Sequence, residues 1–332
     1  MTVPRHVFDQ TVSSLFSPIL HFLEGDSVSE IMINGYDEIY VEEQGRLRLT
    51  NSRFPSEHHL MSALRNLSQF VGRELTAEKP ILEARLPDGS RVEAIIPPAA
   101  PTGPVVNIRR FRGQQLSLER LVELGAFSPE TRCTLASAIR NKDNVLVAGG
   151  SGSGKTSLLS ALASEACKDE RLVVIEDSQE LQIHLPHVVQ LESRPAGPQG
   201  RGAVTIRDLF RASLRMRPDR IVIGEIRGGE ALDLIQAMTS GHRGCLSTVH
   251  ATLPIDTLSR LETMALMSDV GMPLNVLRAQ IASAIDTIVQ VARSSNGSRY
   301  VTHVTRVVGH DRSGGYQLRP LFERSPEAGG DA

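Results

Sequence analysis

Residues 149–156, Gly149-Gly150-Ser151-Gly152-Ser153-Gly154-Lys155-Thr156, satisfy the spacing GxxxxGK[ST]. Glycines let a backbone curl until several N–H groups point at one phosphate, and the start of the following helix adds positive potential. Lys155 is therefore expected to bridge the β- and γ-phosphates of a nucleoside triphosphate. The Thr156 hydroxyl is expected to ligate Mg2+, with Ser157 completing the cradle. Such a site also needs carboxylates near the metal and the attacking water, and two apolar runs end in them. Val173-Val174-Ile175 leads into Glu176-Asp177, with Glu180 shortly after, and Ile221-Val222-Ile223-Gly224 leads into Glu225. Ligands of open α/β sheets gather at the carboxyl ends of strands. Either glutamate can position the water, the other then acting on Mg2+ through its waters. Gly241-His242 and Thr248-Val249-His250-Ala251 set two histidines beside a further strand, and His250 is a candidate sensor of the γ-phosphate.

These residues need a rigid frame. The loop follows an apolar run, Val145 to Val147, and opens the helix Ser157 to Ala166, the strand–loop–helix context the motif requires. Val145–Val147, Leu172–Ile175, Val188–Leu191 and Ile221–Ile223 are almost continuously apolar, as suits strands buried on both faces of an α/β sheet. Thr205-Ile206-Arg207-Asp208 has the form of a capping box and opens a helix ending before Pro218, near which Arg215 and Arg217 are further candidates. Thr287–Val291 and Arg299–Val308 read as a hairpin across Asn296-Gly297. The first part of the chain differs. It reads as a short helix from Val12 to Leu23, then strands at 29–35, 39–41, 47–49, 91–96 and 105–109, with Gln44-Gly45 as a turn. Leu60, Ala63, Leu64, Leu67 and Phe70 mark an amphipathic helix among them.

Composition narrows the function. The chain has 332 residues, enough for two domains. Its net charge of −2, with no Trp, four Tyr and nine Phe, argues against a nucleic-acid surface, which needs positive charge and exposed rings. Cys133, Cys167 and Cys245 form no CxxC pair, so reduced thiols in a cytosolic chain are expected rather than a zinc site. No apolar run approaches the ~20 residues that span a bilayer, so membrane contact is expected only through a partner.

Four boxes in order carry a resemblance: Gly149 to Thr156; Ile175-Glu176-Asp177-Ser178-Gln179-Glu180-Leu181; Arg217-Pro218-Asp219 through Gly224-Glu225-Ile226-Arg227-Gly228-Gly229-Glu230; and Gly241-His242 through His250-Ala251. They look like the Walker A, Asp, Walker B and His boxes of type II/IV secretion ATPases. Arg194-Pro195, the stretch from Gly202 to Leu209, Ser259-Arg260-Leu261-Glu262 and residues 281–285 resemble the CpaF-like ATPases of Tad/Flp pilus systems. Glu30 to Gly35 and Leu86 to Arg91 extend the resemblance to roughly residues 25–310. It implies an α/β fold with a RecA-type P-loop NTPase core and a smaller N-terminal α+β (PAS-like) domain. The boundaries expected are a helical segment at 1–24, the α+β domain at 25–110, a linker at 111–118, the ATPase domain at 119–324 and a disordered tail at 325–332.

The resemblance further implies ATP and Mg2+ as cofactors, a homohexamer, a cytoplasmic location at the inner membrane and a polytopic platform protein as partner. Arg91 and Arg109 match the arginines of the N-terminal domain that approach the phosphates, with Arg85 and Arg110 as alternatives. On this reading Lys155 and the loop amides hold the phosphates and Thr156 with Glu225 supports Mg2+. Glu176 is the favoured water-orienting residue, and His250 with an N-terminal arginine completes the site. Three rivals are a short conjugative-transfer ATPase of the same superfamily, a nucleotide-dependent binding module with little turnover, and a nucleic-acid motor.

Overall fold

The computed structural model describes residues 14–25, 27–43, 45–110, 116–197, 200–311 and 315–324. The expected tail at 325–332, most of the expected linker, Gln44 of the expected turn and the start of the N-terminal helix lie outside them. By internal contacts the chain divides into two compact units, residues 1–113 with 197–201 and residues 114–196 with 202–332.

In the first unit, the expected helix from Val12 is a 3-10 turn, Ser17–Ile19, followed by the short α1, Leu20–Glu24. Pro18 lacks an N–H and suits such a first turn. Six strands follow: β1 (Val28–Asn34), β2 (Glu38–Glu43), β3 (Arg46–Leu49), β4 (Ile81–Arg85), β5 (Arg91–Ile95) and β6 (Val105–Arg109). They form one sheet in the order β3-β2-β1-β6-β5-β4, every pair antiparallel. Alternate residues face in. Ile31, Ile33, Val92, Ala94, Val106 and Ile108 are buried in one core with Leu60, Ala63, Leu64 and Leu67 of α2 (Glu57–Phe70). Ser56 caps α2 by accepting the His59 amide. On the opposite face the register puts Arg85, Arg91 and Arg109 side by side on three neighbouring strands. Like charges directly opposite are destabilising, and Glu30 of β1 stands 3.9 Å from Arg109 to offset part of the repulsion.

The second unit is built on eight strands in the order β14-β13-β12-β7-β11-β10-β8-β9. Their ranges are β7 Val145–Gly149, β8 Leu172–Glu176, β9 Val188–Glu192, β10 Arg220–Ile223, β11 Leu246–Val249, β12 Thr287–Arg293, β13 Arg299–His310 and β14 Tyr316–Glu323. The six from β12 to β9 are parallel, and β13 and β14 add an antiparallel edge. Every residue of β7, β8, β10 and β11 is buried, as the apolar runs of β7, β8 and β10 require, and the buried Ser247 and Thr248 of β11 join them. Helices α3 (Leu118–Glu123), α4 (Pro129–Arg140) and α5 (Lys155–Ser164) cover one face. The other carries α6 (Ile206–Ser213), α7 (Glu230–Thr239), α8 (Pro254–Leu266) and α9 (Leu274–Ala284). The capping box at α6 is formed: the Asp208 amide donates to Thr205 Oγ1 at 3.1 Å and the Thr205 amide to Asp208 Oδ2 at 2.9 Å. Leu118, the last residue of the expected linker, already lies in α3, capped by Ser117.

All three cysteines are unpaired, Cys245 buried and the others exposed. Among the described residues no helix is long and apolar enough to cross a membrane.

Candidate active site

Six parallel strands end at one edge of the second sheet, and the chemistry-bearing residues collect there. β7 enters the phosphate loop at Gly149, whose missing side chain is required by its surroundings. A Cβ there would lie 2.5 Å from Ser153 Oγ and 2.6 Å from the Val291 carbonyl oxygen of β12. Gly152 (φ 68°) and Gly154 (φ 93°) take left-handed conformations that curl the chain into α5, with Gly154 as its N-cap. Ser153 Oγ donates to the Gly150 carbonyl at 2.9 Å, and Lys155 Nζ, nearly buried, donates to the same oxygen at 2.8 Å. Hence the loop, its lysine and the helix start are already in one place.

β11 is the neighbour of β7, β10 the next and β8 the third. At a spacing near 4.8 Å per strand, their ends lie about 5, 10 and 14 Å from the end of β7. His250 follows β11 by one residue and Glu225 follows β10 by two. Their side chains meet, His250 Nε2 to Glu225 Oε1 at 2.9 Å. Burial lowers the His250 pKa, the charges of Lys155, Arg227 and Arg260 lower it further, and Glu225 pulls the other way. The ring nitrogen stands within hydrogen-bond distance of the Glu225 carboxylate. The Lys155 charge is thus close enough to act on His250.

Arg227 binds the other side of Glu225, with Nη2 and Nε at 2.6 and 2.9 Å from Oε2, and reaches Asp177 Oδ2 at 3.3 Å. The Glu180 charge acts on the same guanidinium. Glu230 accepts the amides of Arg227 and Gly228 at 2.7 and 2.9 Å, which fixes the turn carrying the arginine. Glu176 is placed differently. It is buried at the end of β8, and its Oε1 accepts the amides of Glu180 and Leu181, each at 2.9 Å. Burial raises its pKa to about 7, against those two hydrogen bonds and with help from the Glu180 and Glu192 charges. Its carboxylate anchors the turn that carries Glu180. His242 and Arg217 precede the amino ends of β11 and β10, at the opposite edge of the sheet. In the first unit, Arg91 and Arg109 stand opposite each other on β5 and β6.

Sequence reasoning missed several residues. Arg227 sits inside the Glu225 box, and that position was its only signal. Arg299, across the β12–β13 hairpin, donates from Nε to the Gly152 carbonyl at 2.8 Å, and a Cβ on Gly154 would lie 3.0 Å from its Cδ. The hairpin also closes a cavity of about 300 Å3 beside the loop, lined by Leu121, Phe127, Gly154, Leu158, Val291 and Tyr300 among others. It is apolar and has the size of a flat heterocycle's pocket.

The donor set suits Mg2+. Among the described residues no cluster of acids and histidines forms a complete metal cage. A hydroxyl, Thr156, and a few carboxylates are what Mg2+ uses when it keeps its waters and shares a phosphate.

Residues 13–315 match the family described as type II/IV secretion system protein. The type IV secretion system protein PtlH of Bordetella pertussis is 34% identical over 305 residues, covering 84% of this chain and 89% of that one. The conjugal transfer protein TrbB of Rhizobium radiobacter is 31% identical over 300 residues, 89% of this chain and 88% of that one. The solved structure of the ATPase DotB from Yersinia pseudotuberculosis shares the fold, with a TM-score of 0.63 at 18% identity over 88% of this chain and 78% of that one.

Two stability outcomes follow from the geometry. Gly149→Ala is expected to destabilise by about 2 kcal/mol or more through overpacking. Gly150→Ala, whose Cβ would meet nothing within 4 Å, is expected to change stability by no more than about 0.5 kcal/mol. Urea unfolding of both variants checks this. Glu176 gives a pH signature, because its folded pKa is raised above the unfolded one. The folded state holds the extra proton between about 4.5 and about 7, and stability falls as pH rises through that window. Glu176→Gln removes the burden, so its stability relative to the parent should rise from pH 5 to pH 8 by up to about 3 kcal/mol. An equal difference at both pH values would contradict the assignment.

Proposed function

The chain belongs to the type II/IV secretion system protein family, and from that premise we propose that it is a P-loop ATPase working as a secretion or pilus-assembly motor. One observation carries the hydrolytic part of the reading. At the carboxyl edge that holds the phosphate loop, Glu225 is bound between His250 and Arg227, with the charge of Lys155 acting on the histidine. A site that only holds nucleotide has no need of oriented carboxylates beside the γ-phosphate position.

Lys155 and the loop amides bind the phosphates, with the lysine exchanging the Gly150 carbonyl for phosphate oxygen. Thr156 and Glu225 are the residues that would hold Mg2+, whose role when bound is to neutralise charge on the β- and γ-phosphates. Glu225 and Glu180 supply the carboxylates that orient the attacking water. Glu176 fixes the Glu180 turn, and His250 holds Glu225 in place. The apolar cavity beside Gly154 receives the base. Arg91 and Arg109 meet phosphate charge in the assembled ring, which we take to be a homohexamer acting on an inner-membrane platform protein from the cytoplasmic side.

The finer reading is a Tad/Flp-type pilus motor, carried by the CpaF-like stretches at Arg194–Leu209 and 281–285. Type IV secretion or conjugative transfer is the second reading, favoured by the similarity to PtlH and TrbB.

A panel of variants tests the chemistry by steady-state phosphate release. Lys155→Ala is expected to abolish turnover. Glu225→Gln and Glu180→Gln should each lower kcat by about 100-fold or more. Glu176→Gln should stay within about tenfold of the parent at pH 8. Arg91→Gln and Arg109→Gln should each cost at least about tenfold. Unchanged turnover in Lys155→Ala contradicts the whole assignment. Loss in Glu176→Gln as deep as in Glu225→Gln returns the water to Glu176.

A further inference from the structure

Gln290 lies within β12 with its side chain buried, 3% exposed. A long amide inside a parallel sheet of aliphatic residues is out of character with its neighbours, and its hydrogen bonding says why it is there. Its Nε2 donates to the main-chain carbonyl of Ala251 at 2.8 Å, while its Oε1 is buried without a hydrogen-bond partner. The reverse amide orientation would set two carbonyl oxygens against each other, so the donor side is fixed by chemistry.

The path of this bond crosses a strand. Gln290 is in register with Ala148 of β7, and Ala148 with Val249 of β11. The amide therefore passes over β7 at a residue whose side chain is one methyl group, and holds the residue that immediately follows His250. The base of this arm is itself fixed. The Gln290 carbonyl accepts from Thr302 Oγ1 at 3.3 Å, and the next residue, Val291, packs against Gly149 too closely for any Cβ. One strand thus touches the start of the phosphate loop and carries an arm to the His250 segment.

We infer that Gln290 is a positioning residue for His250: its amide fixes the main chain at Ala251 and with it the placement of the imidazole against Glu225. The inference rests on the hydrolytic reading of the site for its effect on turnover, but its effect on the histidine is independent of that reading. Glu225 touches the ring at 2.9 Å, and the charges of Lys155, Arg227 and Arg260 act on it. Their distances to it change when the Ala251 anchor is lost.

The test uses the full chain and two substitutions. Gln290→Met keeps the length and removes the donor. Gln290→Glu sets an ionised carboxylate against the Ala251 carbonyl at high pH and restores a donor when protonated. Histidine ring NMR resonances at one fixed pH, affinity for a magnesium complex of a non-hydrolysable ATP analogue, and phosphate release are measured on each. In Gln290→Met, kcat is expected to fall roughly tenfold or more with nucleotide affinity held within about threefold. The His250 ring resonances should shift while those of His242 and His303 stay in place. In Gln290→Glu, kcat relative to Gln290→Met should recover on acidification. The inference is overturned if the His250 ring resonances in Gln290→Met superimpose on those of the parent. It is equally overturned if kcat, affinity and the resonances of all three histidines change together, which marks general loosening. If the parent itself releases no phosphate, the hydrolytic reading falls, and the His250 comparison still decides the role of Gln290.

Discussion

The close fit of the Gly149 main chain between Ser153 and Val291 is the constraint on which the site depends. It lets β12 lie against the strand that enters the phosphate loop, so the loop and the β12–β13 hairpin are one packed piece. From that contact follow the Arg299 hydrogen bond to Gly152, the cavity beside Gly154 and the reach of Gln290 to Ala251. A protein interior packs like an organic crystal and resolves such contacts to tenths of an ångström. A single methyl at this point is felt across all of them.

The parallel register supplies the second ingredient. Because β7, β11, β10 and β8 run the same way, His250, Glu225 and Glu176 are delivered to one edge at increasing distance from the loop. The environment then divides their labour. Glu225 keeps two cationic or hydrogen-bonding neighbours, His250 and Arg227. Glu176 is buried, has its pKa pushed to about 7 and spends its oxygen on two backbone amides. Two carboxylates that look alike at the ends of two strands therefore have different partners: Glu225 meets His250 and Arg227, and Glu176 binds the turn that carries Glu180.

Much of this frame was legible in the sequence where the signal is local. The glycines, Lys155 and Thr156 are contiguous, β7, β8 and β10 centre on unbroken apolar runs, and the Thr205–Asp208 box announces its helix. The hairpin at 287–308 declared itself through alternation and Asn-Gly. What escaped depends on distant pairings. β4 and β14 are edge strands with mostly exposed or half-buried residues and weak patterning, and α3 is only six residues long. Arg227, Arg299 and Gln290 gain their roles from neighbours far along the chain. The row of Arg85, Arg91 and Arg109 exists only once the antiparallel register is known. The position of Glu176 at a strand end carries no information about the Glu180 and Leu181 amides that bind its carboxylate.

The most direct measurement is phosphate release by the full chain with ATP and Mg2+, expressed per subunit over a hundredfold range of protein concentration. Steady release whose specific activity climbs with concentration is expected of the proposed ring, in which assembly would complete each site. ATP recovered intact at every concentration would contradict hydrolysis by this site and leave the chain a nucleotide-dependent binding module.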